Sequence, residues 1–212
     1  MSDWEEYFKN GRRSLFDTAL RDRRIIELIV ENTPKGGSVL EVGCGTARLS
    51  SLLADMGFRV TAMDKDPAVI EYAKLITTTS GIKFMVGDAL DLDGLHEYRF
   101  DAVCSSGLME HFNADGVSDS LRSQGCIADR VIFSVPNNRI KDREFLFGDE
   151  NLTGRCEWLK MICGAGFNSI EVHGGYDLPR WAYLLPGFML HRRFSFWWKL
   201  ASRHFVFVCK SR

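Results

Sequence analysis

The sequence is short of several things, and each shortage excludes a class. No apolar run approaches the ~20 residues that a membrane-spanning helix needs. The six cysteines, Cys44, Cys104, Cys126, Cys156, Cys163 and Cys209, form no CxxC pair and no Cys/His zinc spacing. They read as free thiols in a reducing compartment, which points to the cytoplasm, and no metal centre is expected. The start, 1–9, is polar and acidic, unlike a signal peptide. There is no internal repeat and no low-complexity linker, so one domain over 1–212 is expected. With a net charge of -1 the chain lacks the basic excess of a dedicated nucleic-acid binder. Acidic residues are missing altogether after Asp177, while Arg180, Arg192, Arg193, Lys199, Arg203, Lys210 and Arg212 make the tail basic.

What is present is an alternation. Short apolar runs at 38–42, 59–63, 83–86, 101–105, 130–135, 169–173 and 204–209 read as strands, separated by helical patterns. Such alternation predicts a mostly parallel sheet with helices on both faces. The helices expected are a long one over 12–32, then 46–56 ended by Gly57, one capped by Asp66 with Pro67 at its first position, one capped by Asn113, and 153–165. The loop 136–150 is polar and charged.

The most informative stretch is Val39-Leu40-Glu41-Val42-Gly43-Cys44-Gly45-Thr46-Ala47-Arg48-Leu49, a strand running through a glycine turn into a helix. Glycines let backbone approach a ligand that a Cβ would block. A dinucleotide fingerprint would want a third glycine where Arg48 stands. Glu41, just before the turn, would repel a pyrophosphate and suit a ligand carrying an ammonium and a sulfonium.

This stretch resembles the first motif of the class I S-adenosylmethionine-dependent methyltransferases, acid-x-Gly-x-Gly-x-Gly, with Glu41, Gly43 and Gly45 in place and Ala47 for the last glycine. The resemblance continues in Asp64 at the end of strand 2, followed by Lys65, in Gly87-Asp88-Ala89 after strand 3, and in Phe100-Asp101-Ala102-Val103 with Glu110-His111 around strand 4. The last of these is similar to the small-molecule branch related to quinone-biosynthesis methyltransferases. It implies a three-layer Rossmann-like α/β fold whose seven-stranded sheet has the order 3-2-1-4-5-7-6, with strand 7 antiparallel. It implies S-adenosyl-L-methionine as cofactor, held by Glu41, Gly43, Cys44, Gly45, Asp64, Lys65, Asp88, Ala89, Ser105, Ser106 and Leu108. Asp64 would take the ribose hydroxyls, and Asp88 with Ala89 the adenine.

Methyl transfer from a sulfonium is an in-line displacement with a neutral leaving group, so orientation carries most of the catalysis. A phenol or alcohol acceptor would still profit from a base. His111 is the candidate base and Glu110 a candidate for orienting it or the substrate. A small-molecule acceptor is expected and nucleic acid is not, because no Asn/Asp-Pro-Pro-Tyr signature follows strand 4. Two other readings stay open: a nicotinamide-dependent oxidoreductase of the same topology, and a non-catalytic binder of the cofactor.

The ends are less determinate. The N-terminal helical cap, 1–33, contains Trp4, Tyr7 and Phe8, which would either cover the cofactor or pack on the core. The insert 178–203 is aromatic and basic, with Trp181, Tyr183, Phe188, Phe194, Phe196, Trp197 and Trp198. It would wall an apolar pocket, form a homodimer interface, or rest on an anionic membrane surface.

Overall fold

The computed structural model describes residues 6–8, 14–138, 149–174 and 204–211. Seven strands form one sheet: β1 Ser38–Val42, β2 Arg59–Asp64, β3 Lys83–Val86, β4 Ala102–Ser106, β5 Arg130–Pro136, β6 Ser169–Gly174 and β7 His204–Lys210. Their order is β3-β2-β1-β4-β5-β7-β6. The pairs among β1 to β5 are parallel, and β7 runs antiparallel to both β5 and β6. This is the topology that the motif resemblance implies.

Helices α1 Leu15–Arg21, α2 Arg23–Asn32, α3 Arg48–Asp55, α4 Pro67–Ile76, α5 Ala114–Ile127 and α6 Arg155–Gly164 complete the layers. Alternate residues of one strand serve opposite faces. Val39, Val60, Cys104, Ile132 and Val208 pack under Ile25, Leu28 and Ile29 of α2 and Leu49 and Leu53 of α3. On the other face Val131, Phe133, Val135 and Phe207 meet Val117 and Leu121 of α5 and Trp158 and Ile162 of α6. Phe133 stacks on Phe207 at 5.1 Å between centroids, and Trp158 tilts against both.

Two caps fall where the sequence places them. Asp66 accepts from the Ala68 N–H with Pro67 at the first helical position, and Asn113 accepts from the Gly116 N–H at 2.8 Å. Gly57, at φ +90°, turns the chain after α3. The first turn of α3 starts later than expected, at Arg48, because Ala47 is left-handed (φ 52°, ψ 30°). The helix expected at 153–165 is the shorter α6, within the usual uncertainty of helix ends.

The single helix expected over 12–32 is instead two. Asp22, at φ -93° and ψ 9°, ends α1 and begins α2. Its carboxylate is bound side-on by Arg21, Nε to Oδ1 at 2.8 Å and Nη2 to Oδ2 at 2.7 Å, and accepts from Ser106 Oγ at 3.1 Å. The break therefore carries a buried carboxylate to the tip of β4.

All six cysteines are free, with Cys44, Cys104 and Cys209 buried. Among the described residues no helix is long and apolar enough to cross a membrane. The aromatic and basic insert 178–203 lies outside the described residues, as do Trp4 and the central part of the loop 136–150.

A candidate cofactor cleft and the turn beside it

The register sets the site. Val42 pairs with Met63, and Glu41 with Cys104, so β1, β2 and β4 end level with one another. In an open parallel sheet, ligands bind beyond these carboxyl ends. The turn after β1 is drawn towards β2: Cys44 N–H donates to the Met63 carbonyl at 2.9 Å, and Gly45 N–H donates to Asp64 Oδ2 at 3.0 Å. Gly43 and Gly45 have φ of +65° and +51°, which glycine adopts without a Cβ penalty. A Cβ on Gly43 would stand 2.7 Å from Leu108, and one on Gly45 2.6 Å from the Phe8 ring. Leu108, after β4, and Phe8, from the helical turn at 6–8, thus both rest on the glycine turn.

Glu41 and Asp64 lie on the same sheet face, on adjacent strands, and the Asp64 charge helps to push the Glu41 carboxyl up. Their immediate partners differ. Glu41 is buried, and its Oε2 accepts from both the N–H and the Oγ of Ser50, at 2.8 and 2.5 Å. Helix α3 has no side-chain N-cap of its own, so Glu41 satisfies one of its orphan N–H groups from the strand beneath. Asp64 is half-buried and accepts from Gly45 N–H and Asp66 N–H. Burial pushes its carboxyl up, and these backbone donors pull it back down.

The other expected ligand residues are dispersed around this centre. Cys44 is buried in the turn, where burial pushes its thiol up, and Lys65 is exposed. Asp88 is exposed at the tip of β3, its Oδ1 accepting from Leu90 N–H, and Ala89 is buried behind it. Ser105 and Ser106 face opposite ways. Ser106 donates to Asp22, whereas Ser105 is fully buried and its hydroxyl has no partner among the described residues.

Glu110 and His111 lie in a 3-10 turn, Met109–His111, directly after β4. Glu110 is 4% exposed, with its Oε2 buried and without a hydrogen-bond partner among the described residues. Burial pushes its carboxyl up to about 8. His111 Nδ1 lies 2.5 Å from Asp149 Oδ1. Glu150 is close by: one ligand-type atom from each of His111, Asp149 and Glu150 falls within 4.8 Å of the others. Sequence spacing gives no hint of this grouping, because it forms only when the chain returns from β5.

Burial also pushes Glu41 up to about 8, against the pull of the Ser50 donors, from an ordinary value of 4.5. In the folded chain Glu41 therefore keeps its proton in a range where the unfolded chain has lost it. The sign follows: its contribution to stability is complete below about pH 4.5 and is lost as pH rises towards about 8. Glu110 acts in the same direction. The Glu41→Gln variant, which cannot ionise, is expected to lose less stability than the parent between about pH 5 and 8 in urea titrations. Equal slopes in the two proteins would contradict this assignment.

Fold, glycine turn and strand-tip acids together are similar to those of the class I, Rossmann-like S-adenosylmethionine-dependent methyltransferases. A family model described as "Methyltransferase domain" matches residues 39–124. A ubiquinone biosynthesis O-methyltransferase of Xanthomonas axonopodis pv. citri is 35% identical over 95 residues, 44% of this chain and 40% of that relative. A malonyl-[acyl-carrier protein] O-methyltransferase of Acetivibrio thermocellus is 35% identical over 145 residues, covering 59% and 50%. The chain spans half or less of the length of these relatives. In fold it is similar to a Pyrococcus horikoshii protein, with a TM-score of 0.70 at 18% identity covering 98% and 99% of the two chains. It is also similar to the magnesium protoporphyrin IX methyltransferase of Synechocystis PCC 6803 solved with bound S-adenosylhomocysteine, at 0.64 and 18%, covering 98% and 93%.

Proposed function

We propose that this protein transfers the methyl group of S-adenosylmethionine to a small-molecule acceptor. The observation that carries the reading is Asp64. It is a half-buried carboxylate at the tip of β2, on the face it shares with Glu41, and it holds the glycine turn by the Gly45 N–H. Side-on acceptance by one carboxylate suits the vicinal hydroxyls of a ribose. Asp22 and Asp64 add negative potential beside the turn, which suits a cationic nucleoside and disfavours a pyrophosphate. Gly43 and Gly45 let the Leu108 and Phe8 side chains close on the turn, where a Cβ on either glycine would clash.

When bound, the cofactor supplies a methyl group on a sulfonium, already activated for displacement. The remaining work is positional. Leu108 and Phe8 sit on the glycine turn and exclude water from above it. Asp22, locked by Arg21 and Ser106, ties the N-terminal helices to the tip of β4. Alignment of this kind is worth ~7–11 kcal/mol of barrier where the geometry is near attack. Asp88, exposed after β3 on the strand next to β2, and Ala89 are the residues proposed to hold the adenine.

Calorimetric titration with S-adenosylhomocysteine tests the reading. Saturable binding at micromolar ligand is expected. No heat at millimolar ligand, with quenching of added NADH fluorescence instead, would replace it with the nicotinamide reading.

A further inference from the structure

A cavity of about 200 Å³ lies beyond the glycine turn, between the start of α1, the start of α3 and the end of α4. None of Glu41, Asp64, Asp88 and Glu110 is among its described lining. Hydroxyl side chains reach it from three segments: Ser14, Thr46 with Ser51, and Thr77 with Thr78. The described lining has one cation, Arg48, and no carboxylate. Arg48 is half-buried, and its Nη1 donates to Thr46 Oγ1 at 2.7 Å. That bond uses one of the five guanidinium N–H groups. The neighbouring Arg21 is matched by Asp22, whereas Arg48 has no carboxylate within ion-pair distance among the described residues. Burial pushes the Arg48 guanidinium down, Tyr72 opposes this, and the Arg21 charge adds to it. Thr77 Oγ1 is buried and has no partner among the described residues. Thr46 accepts from Arg48 and keeps its own hydrogen to donate. The two serines are already engaged: Ser14 Oγ donates to Asp17, and Ser51 Oγ donates to the Ala47 carbonyl.

We infer that this cavity is a binding site for a phosphoryl group, held by Arg48, Thr46, Thr77 and Thr78. A half-buried cation without a counter-charge and a buried hydroxyl without a partner each carry a desolvation cost, and one oxyanion removes both. The guanidinium fork suits phosphate and carboxylate alike, so the hydroxyls decide between them. They come from two segments, at 46 and at 77–78, that meet only through the fold. Donors spread in this way suit the three oxygens of a tetrahedral anion better than the two of a planar carboxylate. Size limits the ligand. Pockets that enclose a whole drug-sized molecule measure ~300–1,000 Å³, so this cavity takes a head group and not a whole ligand. Leu15 and Ile76 complete the described lining and put apolar surface beside the donors. The chemistry is therefore that of a phosphomonoester, either a soluble metabolite or a lipid such as phosphatidic acid. The inference goes beyond the cofactor reading and does not depend on it, since residues and ligand both differ.

The test titrates inorganic phosphate into the whole, nitrogen-15-labelled protein at constant ionic strength. Saturable shifts of the amide signals of 46–51 and 76–78 are expected. Arg48→Gln should weaken phosphate binding about 10- to 100-fold, the worth of one hydrogen bond to a charged group. Thr77→Val removes a hydroxyl that has no partner, so it should weaken phosphate binding without lowering the unfolding midpoint of the phosphate-free protein. Acetate should bind at least about 10-fold more weakly than phosphate. A flotation assay separates the two sources. Co-flotation with phosphatidylcholine vesicles that contain phosphatidic acid, lost in Arg48→Gln, would support the site with a lipid as its ligand. Phosphate binding without flotation would support it with a soluble phosphomonoester. The site would be overturned by the absence of any saturable shift, by shifts centred on 43–45 and 64, or by equal phosphate binding in Arg48→Gln. Acetate binding as tight as phosphate, or a lowered midpoint in Thr77→Val, would overturn it too.

Discussion

Asp64→Ala is expected to lose about 100-fold in affinity for S-adenosylhomocysteine, close to 3 kcal/mol. Two effects add. The ribose loses a charged acceptor, and hydrogen bonds to a charged group contribute ~1.5–3 kcal/mol. The Gly45 and Asp66 N–H groups also lose their acceptor, at 3.0 and 3.1 Å, so the turn that faces the ligand is released at the same time. Asp64→Asn keeps one acceptor oxygen and should fall between parent and alanine variant. Calorimetry checks the order, and unaltered affinity in Asp64→Ala would place the nucleoside elsewhere.

Gly43→Val should be the most disruptive single change at the site. The backbone at φ +65° is one that a β-branched residue adopts only under strain. Strain of that kind costs ~1–3 kcal/mol. The new Cβ would also meet Leu108 Cδ1 at 2.7 Å, and overpacking adds about 1–3 kcal/mol. A loss of about 2–6 kcal/mol in unfolding free energy is expected, together with loss of S-adenosylhomocysteine binding. Gly57→Ala is the contrast: its Cβ would meet nothing within 4 Å, so only backbone strain at φ +90° remains.

How far the sequence could be read depended on whether a signal was local. Strands β1 and β3 begin and end where the sequence places them, although only β1 is buried along its length and β3, at the sheet edge, is partly exposed. The strand order came from the motifs in Glu41, Asp64, Asp88 and Glu110, not from periodicity. The break at Asp22 was hidden because Thr18, Asp22, Ile25 and Ile29 continue one helical stripe. The signal that could have shown it is an aspartate at a core position of that stripe, flanked by Arg21, Arg23 and Arg24. Ser105 and Ser106 look equivalent in sequence, yet strand alternation buries one and points the other at Asp22. Glu41 reads as a ligand residue from its motif, whereas its nearest partner is the N-terminal turn of α3. Asp149 and Asn151 carry no local signal at all. They sit after a charged loop, and only the return of the chain from β5 sets them against His111 and Phe112.

The most direct measurement is a crystal structure of the protein with S-adenosylhomocysteine. The two ribose hydroxyls should lie within hydrogen-bond distance of the Asp64 carboxylate, with the adenine beside Asp88 and the sulfur facing the turn that carries His111. A nucleoside bound away from the tips of β1 and β2, with Asp64 untouched, would contradict the assignment of this cleft.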